Sequence, residues 1–360
     1  MTPLVPEALP GFKDVAVRSI GAGLTALIIG WAAGPWVFAK LKRLKASQAL
    51  RTQEQVGPLA NLHAMKVGTP TMGGIVIYAA VIGSTLLWAQ WNLYVLTAIG
   101  VYTALTLVGV IDDYLKIYRA NSRGLGGRAK LIVQGVVAAG ALVGMLSGEE
   151  STLKIRELWT PLSGEPLVAL MPFGLLAIFW LLVIVGSSNA VNLTDGVDGL
   201  AIGCTVTTTL AFAIIAYAAG DGAASASLGI GHVEGVDELA VVSAAVAGAG
   251  LAFLWYNAHP ATVFMGDAGS LGLGGLLGVT ALMVQQPFTL MIVGGVFVAE
   301  ALSVMVQITV LRISGRRIFR MTPLHHHFEL KGCPEAKLVA RFWILSLLLA
   351  LTGLALLKFF

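Results

Sequence analysis

Residues 173–220 read FGLLAIFWLLVIVGSSNAVNLTDGVDGLAIGCTVTTTLAFAIIAYAAG. Two apolar runs, 173–187 and 200–219, flank a short stretch rich in Asn, Asp and Gly. Both approach the length of about 20 residues that an α-helix needs to cross the hydrocarbon core of a bilayer. The pattern recurs along the chain. Further runs cover 19–38, 71–88, 93–111, 131–146, 239–256, 271–284, 288–311 and 342–357. The runs at 131–146, 173–187 and 271–284 are short and contain Gly. The expected fold is all-α: a polytopic membrane protein of about ten spans, forming a single domain over 1–360.

Composition supports this. The chain has 360 residues, 57% of them hydrophobic and 12% charged, with a mean hydropathy of +0.84. Soluble domains carry about 25% charged residues. A water-facing globule, a disordered chain and a nucleic-acid binder are excluded. Cys204 in an apolar run and Cys333 in a polar loop make no disulfide framework. Pro3, Pro6, Glu7, Pro10 and Asp14 make the first residues a poor secretory signal.

Loop charge orients the bundle. Lys40, Lys42, Arg43, Lys45, Arg51 and Lys66 fall in the first loop, and Lys116, Arg119, Arg123, Arg128 and Lys130 in the third. The ninth holds Arg312, Arg316, Arg317, Arg320, Lys331, Lys337 and Arg341, so these loops contain 18 of the 23 basic residues. The intervening loops carry Glu149, Glu150, Glu157 and Glu165, then Asp221, Glu234, Asp237 and Glu238. The positive-inside rule places the odd loops in the cytoplasm and both termini outside.

Polar residues collect in those same odd loops. The third span ends GVIDDYLKIYR, setting Asp112 and Asp113 at the membrane edge with Lys116 one helical turn on. The fifth loop sets Asn189, Asn192, Asp195 and Asp198 three apart, a polar lane beyond what a turn needs. The seventh, YNAHPATVFMGDAGSLGLGG, adds oxygen ligands at Asn257 and Asp267, and Phe264 as an aromatic able to stack on a base. The ninth holds His325, His326 and His327, which as successive residues cannot all turn to one metal. Imidazoles facing phosphate or hydroxyl groups suit their Arg-rich surroundings better. Hard carboxylate and amide oxygens favour Mg²⁺ over softer metals, and lysines beside them favour phosphates. Together they suit phosphoryl transfer, which is mostly positioning and charge neutralisation. No Walker A sequence occurs.

The segments KVGTPTMGG, GVIDDYLK, SSNAVNLTDGVDGLA, FMGDAGSLGLGG and PLHHHFE resemble, in order and spacing, those of the polyprenyl-phosphate N-acetylhexosamine-1-phosphate transferases. Within that family they are most similar to the branch that handles muramoyl-pentapeptide. The resemblance implies transfer of phospho-MurNAc-pentapeptide from UDP-MurNAc-pentapeptide to undecaprenyl phosphate, giving UMP and lipid I. The bacterial cytoplasmic (inner) membrane is the implied location, with the active site facing the cytoplasm. Asp267 would bind Mg²⁺, with Asp198 as a second ligand and Asp195 nearby. Asp112 and Asp113 would deprotonate or hold the lipid phosphate. Lys66, Lys116 and Lys130 would steady phosphates; Asn192, Gly196, Val197, Asp198 and Phe264 would hold the uridine side, with Asn257 close to the diphosphate and His325, His326 and His327 at the substrate. Membrane lipid and a second copy of the chain, as a homodimer, complete the candidate partners. The rival readings are a UDP-GlcNAc-using relative and a cation-coupled transporter, which would hold its ionisable groups near mid-membrane, where only Glu300 sits.

Gly294 and Gly295 weaken the ninth run, and Glu300 is costly against lipid, so that span should be interrupted, opening a lateral groove for the polyprenyl chain. Either the groove or a bond to neighbouring helices would then account for Glu300. Sidedness has its own check. A cysteine placed at Asn121 should react with an impermeant thiol reagent only from the cytoplasmic side, and one at Gly222 only from outside. The reverse labelling would turn the aspartates away from cytoplasmic nucleotide and end the assignment.

Overall fold

The computed structural model describes residues 13–44, 68–119 and 124–357. They form fourteen helices: α1 (Val15–Arg43), α2 (Gly74–Trp88), α3 (Leu93–Tyr118), α4 (Gly127–Met145), α5 (Glu149–Lys154), α6 (Phe173–Thr194), α7 (Leu200–Gly220), α8 (Gly222–Leu228), α9 (Glu238–Asn257), α10 (Asp267–Met283), α11 (Pro287–Val293), α12 (Gly295–Ser314), α13 (Leu324–Glu329) and α14 (Glu335–Leu356). A single isolated bridge, Leu158 to Val168, is the extent of β-pairing among the described residues. Eight helices are long and apolar enough to cross a membrane: α1, α3, α4, α6, α7, α9, α12 and α14. All ten expected runs are helical, but α2 and α10, with 15 and 17 residues, are shorter than a full span. The molecule is an all-α, multi-pass membrane protein.

Burial separates the helices into an inner and an outer set. α9 and α10 sit inside, and nearly every residue of α10 is buried. Small residues permit that packing. Added Cβ atoms at Gly274 and Gly109 would lie 2.5 Å from the Ser187 carbonyl oxygen on α6 and 2.0 Å from that of Asp267. α1, α4 and α6 expose rows of Leu, Ile and Val outward, as lipid-facing helices do.

The ninth run is interrupted as expected. Gly294 closes α11 and opens α12. An apolar groove of about 270 Å³ runs beside the break, lined by Phe179, Val183, Leu277, Gly294, Phe297 and Leu302 among others. Glu300 is fully buried and bonded to the His325 backbone, so a bond to a neighbouring segment accounts for it, not the groove.

The ends of the bundle differ in kind. At the end opposite the aspartates, Arg18 of α1 is buried and donates to Glu238 at the start of α9, with Nη1 to Oε2 at 2.7 Å, and to the Trp88 carbonyl. Glu238 also accepts the Gln90 N–H. One ion pair thus ties α1, the end of α2 and α9 together. Removing one partner of a buried pair leaves the other charge uncompensated, at a cost of about 3–5 kcal/mol. Arg18→Ala should destabilise the fold by that margin, seen as a lowered thermal unfolding midpoint in detergent, while folded protein below the transition keeps its turnover. An unchanged midpoint would show the pair to be dispensable.

Candidate active site

At the other end, three carboxylates meet. α3 carries Asp112 and Asp113, both buried, in its last two turns, and α10 begins with Asp267. Gly109, one turn before the pair, lets α3 touch the Asp267 backbone. Gly266 precedes α10 with φ +74°, a conformation few side chains adopt, and a Cβ there would lie 2.4 Å from Asp113 Oδ2. With that space open, Asp113 Oδ2 accepts the Ala268 N–H at 3.0 Å, satisfying a free donor at the start of α10. Two carboxylates therefore share the positive end of one helix.

Two lysines hold the rest of the charge. Lys116 Nζ lies 2.6 Å from Asp112 Oδ2, 3.4 Å from Asp113 Oδ1 and 3.2 Å from Asp267 Oδ2. Lys130 Nζ, from α4, lies 2.6 Å from Asp267 Oδ2 and 3.3 Å from Asp112 Oδ1. Asn192, at the end of α6, donates to Asp267 Oδ1 at 2.9 Å and to Ser270 Oγ at 2.8 Å. Four helices thus supply one charged centre. Oxygens of Asp112, Asp113 and Asp267 lie within 4.8 Å of one another, an all-carboxylate set that fits a hard divalent cation.

Residues 93–285 match the family described as glycosyl transferase family 4. Over 352 residues, 96% of this chain and 95% of the relative, the sequence is 49% identical to phospho-N-acetylmuramoyl-pentapeptide-transferase of Opitutus terrae. It is 46% identical to the protein of that name from Maridesulfovibrio salexigens, covering 98% of this chain and 96% of the relative. The Citrifermentans bemidjiense protein of that name is also 46% identical, over 96% of this chain and 94% of its own length. The chain belongs to the phospho-N-acetylmuramoyl-pentapeptide-transferase family. It is a phosphosugar transferase.

Asp198 belongs to a second constellation of the transferase. Among the described residues the ligand-capable groups form two sets, Asp198 with His259 and Glu335, and Asp267 with Asp112 and Asp113. Asp198 Oδ2 lies 3.2 Å from His259 Nδ1 and accepts the Ala261 N–H, while Glu335 of α14 accepts the Asp198 N–H. Neither His259 nor Glu335 stands out in the sequence. A His-Pro in a polar loop is a weak signal, and Glu335 lies 137 residues from its partner. Asn257 is buried beside this set, its amide committed to the Gly199 N–H and the Val263 carbonyl. In this arrangement it braces two loops. Val197 is buried, and Phe264 is half-buried with its backbone paired to Pro70 and Gly73. Lys66 lies outside the described residues.

The three histidines point three ways. His325 is fully buried against Glu300, His326 Nδ1 lies 2.7 Å from Glu329, and His327 Nδ1 accepts the Arg320 N–H. His325 reaches the Asn/Asp turn: a Cβ on Gly196 would lie 2.4 Å from its Nε2.

Asp195, just past the end of α6, joins the first set electrostatically. Burial, then the Asp267 and Asp113 charges, push its carboxyl up to about 8. Burial and those neighbouring charges favour the protonated carboxyl, so a cation bound nearby would favour release of that proton. Affinity for Mg²⁺ should rise as pH increases from about 6 to 8, with proton uptake by weak buffer on addition of Mg²⁺. Asp195→Asn should flatten both. A pH-independent affinity in the unmodified protein would separate Asp195 from the cation set.

Proposed function

We propose that this transferase moves phospho-MurNAc-pentapeptide from UDP-MurNAc-pentapeptide to undecaprenyl phosphate, releasing UMP and forming lipid I. The observation that carries the reading is the carboxylate–lysine centre of Asp112, Asp113, Asp267, Lys116 and Lys130, set beside an apolar groove. The two join through α6. Val191 lines the groove, and the next residue, Asn192, donates to Asp267. A polyprenyl chain in that groove would present its phosphate at the charged centre.

Mg²⁺ held at Asp267 would neutralise the diphosphate and withdraw charge from the phosphorus under attack. The chain's own groups do the rest. Lys116 and Lys130 trade their carboxylates for phosphate oxygens, which they bind as point charges. Asp112, anchored by the Leu125 N–H, and Asp113, anchored by the Ala268 N–H, keep the acceptor phosphate deprotonated. An oxygen of that phosphate bonds to the sugar-bearing phosphorus, and the P–O bond to UMP breaks, UMP leaving with the electron pair. The reaction belongs at the cytoplasmic face of the inner membrane, where the basic loops lie.

Incubated with UDP-MurNAc-pentapeptide, undecaprenyl phosphate and Mg²⁺, the purified protein should release UMP in step with a lipid-linked sugar. Asp267→Asn keeps the shape and removes a charge from the hard-oxygen set. Loss of even outer partners of a metal costs about 10–100-fold, so this variant should lose at least that much turnover at limiting Mg²⁺. Normal turnover there would remove Asp267 from the metal site. Uptake of the sugar nucleotide into vesicles without UMP would instead favour a carrier.

A further inference from the structure

The charged centre has a second tier one helical turn deeper in the bundle. Lys130, Asn192 and Asp267 come from α4, α6 and α10. Four residues further along α4 stands Gln134, four residues back along α6 stands Ser188 beside Asn189, and four residues into α10 lies the Leu271 carbonyl. Residues spaced by four share one face of a helix. The three helices that meet at the charges therefore meet again beneath them, and there neutral hydrogen bonds join them. Gln134 Nε2 donates to Ser188 Oγ at 3.1 Å, and Ser188 Oγ donates to the Leu271 carbonyl at 2.9 Å. Asn189 Nδ2 donates to Gln134 Oε1 at 2.9 Å and to the Val185 carbonyl at 2.8 Å.

A backbone carbonyl closes each end of this chain of bonds, and a carbonyl only accepts. Ser188 must then give its hydrogen to Leu271 and offer Gln134 a lone pair, while Asn189 gives both amide hydrogens. The side chain between them has to donate on one side and accept on the other, which an amide does. Gln134 and Ser188 are fully buried. A Cβ on Gly274 would lie 2.7 Å from Ser188 Cα, so that glycine brings α10 close enough for the Leu271 bond. Apart from the ion pairs of Lys130 itself, the site end of α4 has little else to hold it. Between 127 and 137 only Gln134 is buried. Leu131, Ile132, Val133 and Val136 are exposed, as on a lipid-facing helix. A polar side chain within a spanning helix is expensive, and it is kept where it serves function.

We propose that Gln134 is a positioning residue: with Ser188 and Asn189 it clamps α4 to α6 and α10, and so sets Lys130 beside Asp267, where a phosphate of the sugar nucleotide would arrive. This rests on the transferase reading above. A lysine is a point charge on a flexible stem, so its aim comes from where its helix is held. The ion pairs of Lys130 cannot supply that hold, because on this reading the same ammonium leaves its carboxylates when phosphate binds. The neutral tier persists through the exchange, since none of its groups carries a charge for which substrate competes.

Two measurements test it. Gln134→Leu nearly keeps the side-chain volume and removes both bonds. Turnover with UDP-MurNAc-pentapeptide and undecaprenyl phosphate should fall about 10–100-fold, since a misplacement of about 1 Å at a reacting centre costs up to about 100-fold. In a Lys130→Met background the same substitution should add nothing, because the residue it positions is gone. A merely structural role would lower the unfolding midpoint and leave the turnover of folded protein alone, or would multiply with the Lys130→Met loss. Either result would overturn the assignment. Ser188→Ala is a smaller change and carries the same test if Gln134→Leu fails to fold: its loss should also vanish in the Lys130→Met background, and unaltered kinetics would count against the clamp. Backbone hydrogen exchange needs no turnover. In either variant the amides of 127–137 should exchange faster than in the unmodified protein, while those of 138–145 keep their rates. Unchanged exchange over 127–137 would refute the proposal. Absence of UMP and lipid-linked sugar from the unmodified protein would instead remove the transferase reading, leaving exchange to decide whether Gln134 holds α4.

Discussion

Three carboxylates within reach of one another at the rim of a membrane bundle repel. At 4 Å and an effective dielectric near 20, each pair of unit charges costs about 4 kcal/mol. Asp112, Asp113 and Asp267 are held in that arrangement by Lys116, Lys130 and the free N–H groups at the start of α10. Much of the backbone follows from this requirement. α3 and α10 must touch, so a glycine stands at 109; α10 must begin at the carboxylates, so the residue before it takes a positive φ at Gly266. α4 and α6 must close on the same point, each bringing one side chain, Lys130 and Asn192. The short α10 is buried along its whole length because it is the axis around which these helices deliver charge.

The apolar groove and the polar centre are two sides of the same helices. α6 lines the groove with Phe179 and Val183 and ends at Asn192. α12 lines it with Phe297 and Leu302, and turns Glu300 the other way toward His325. Its break at Gly294 divides it from α11, and α12 both walls the groove and anchors the histidine loop. A transporter would need its carboxylates midway along the spans. Here Asp112, Asp113 and Asp267 sit at helix ends, and the remaining buried acid on α12 is engaged by a loop.

Much of this was legible in the sequence, because hydropathy and helix-breaking residues act locally. The ten apolar runs, the interruption at Gly294 and the gathering of Asp112, Asp113 and Asp267 at one end all come from such signals. What remained hidden depends on long-range packing. The three-residue lane from Asn189 to Asp198 suggested a single site, but the chain turns after Thr194 and divides it. Asn192 and Asp195 go to the first set, and Asp198 goes to His259 and Glu335. Asn257 looks like a ligand by type, yet its buried amide is needed to satisfy backbone groups of two loops. No local pattern distinguishes a polar side chain that binds substrate from one that braces the loop beside it.

The balance of charge explains why lysines stand where a cation would. With all three carboxylates ionised, they and the two lysines leave one negative charge in excess; burial and the Asp267 charge raise the Asp113 carboxyl to about 7, which offsets that excess. On the proposed reading, a cation held there would make the centre positive and favour a diphosphate. The lysines, partly exposed on flexible stems, can then swing from carboxylate to phosphate oxygens without moving a helix. Protonation of Asp195, which burial favours, limits the charge that must be gathered before substrate arrives. A fourth bare carboxylate at this rim would raise the repulsion that α10 and the lysines already offset. The centre is therefore stable because its negative charge is nearly matched, and on the proposed reading the matching lysines are the groups that would turn to phosphate.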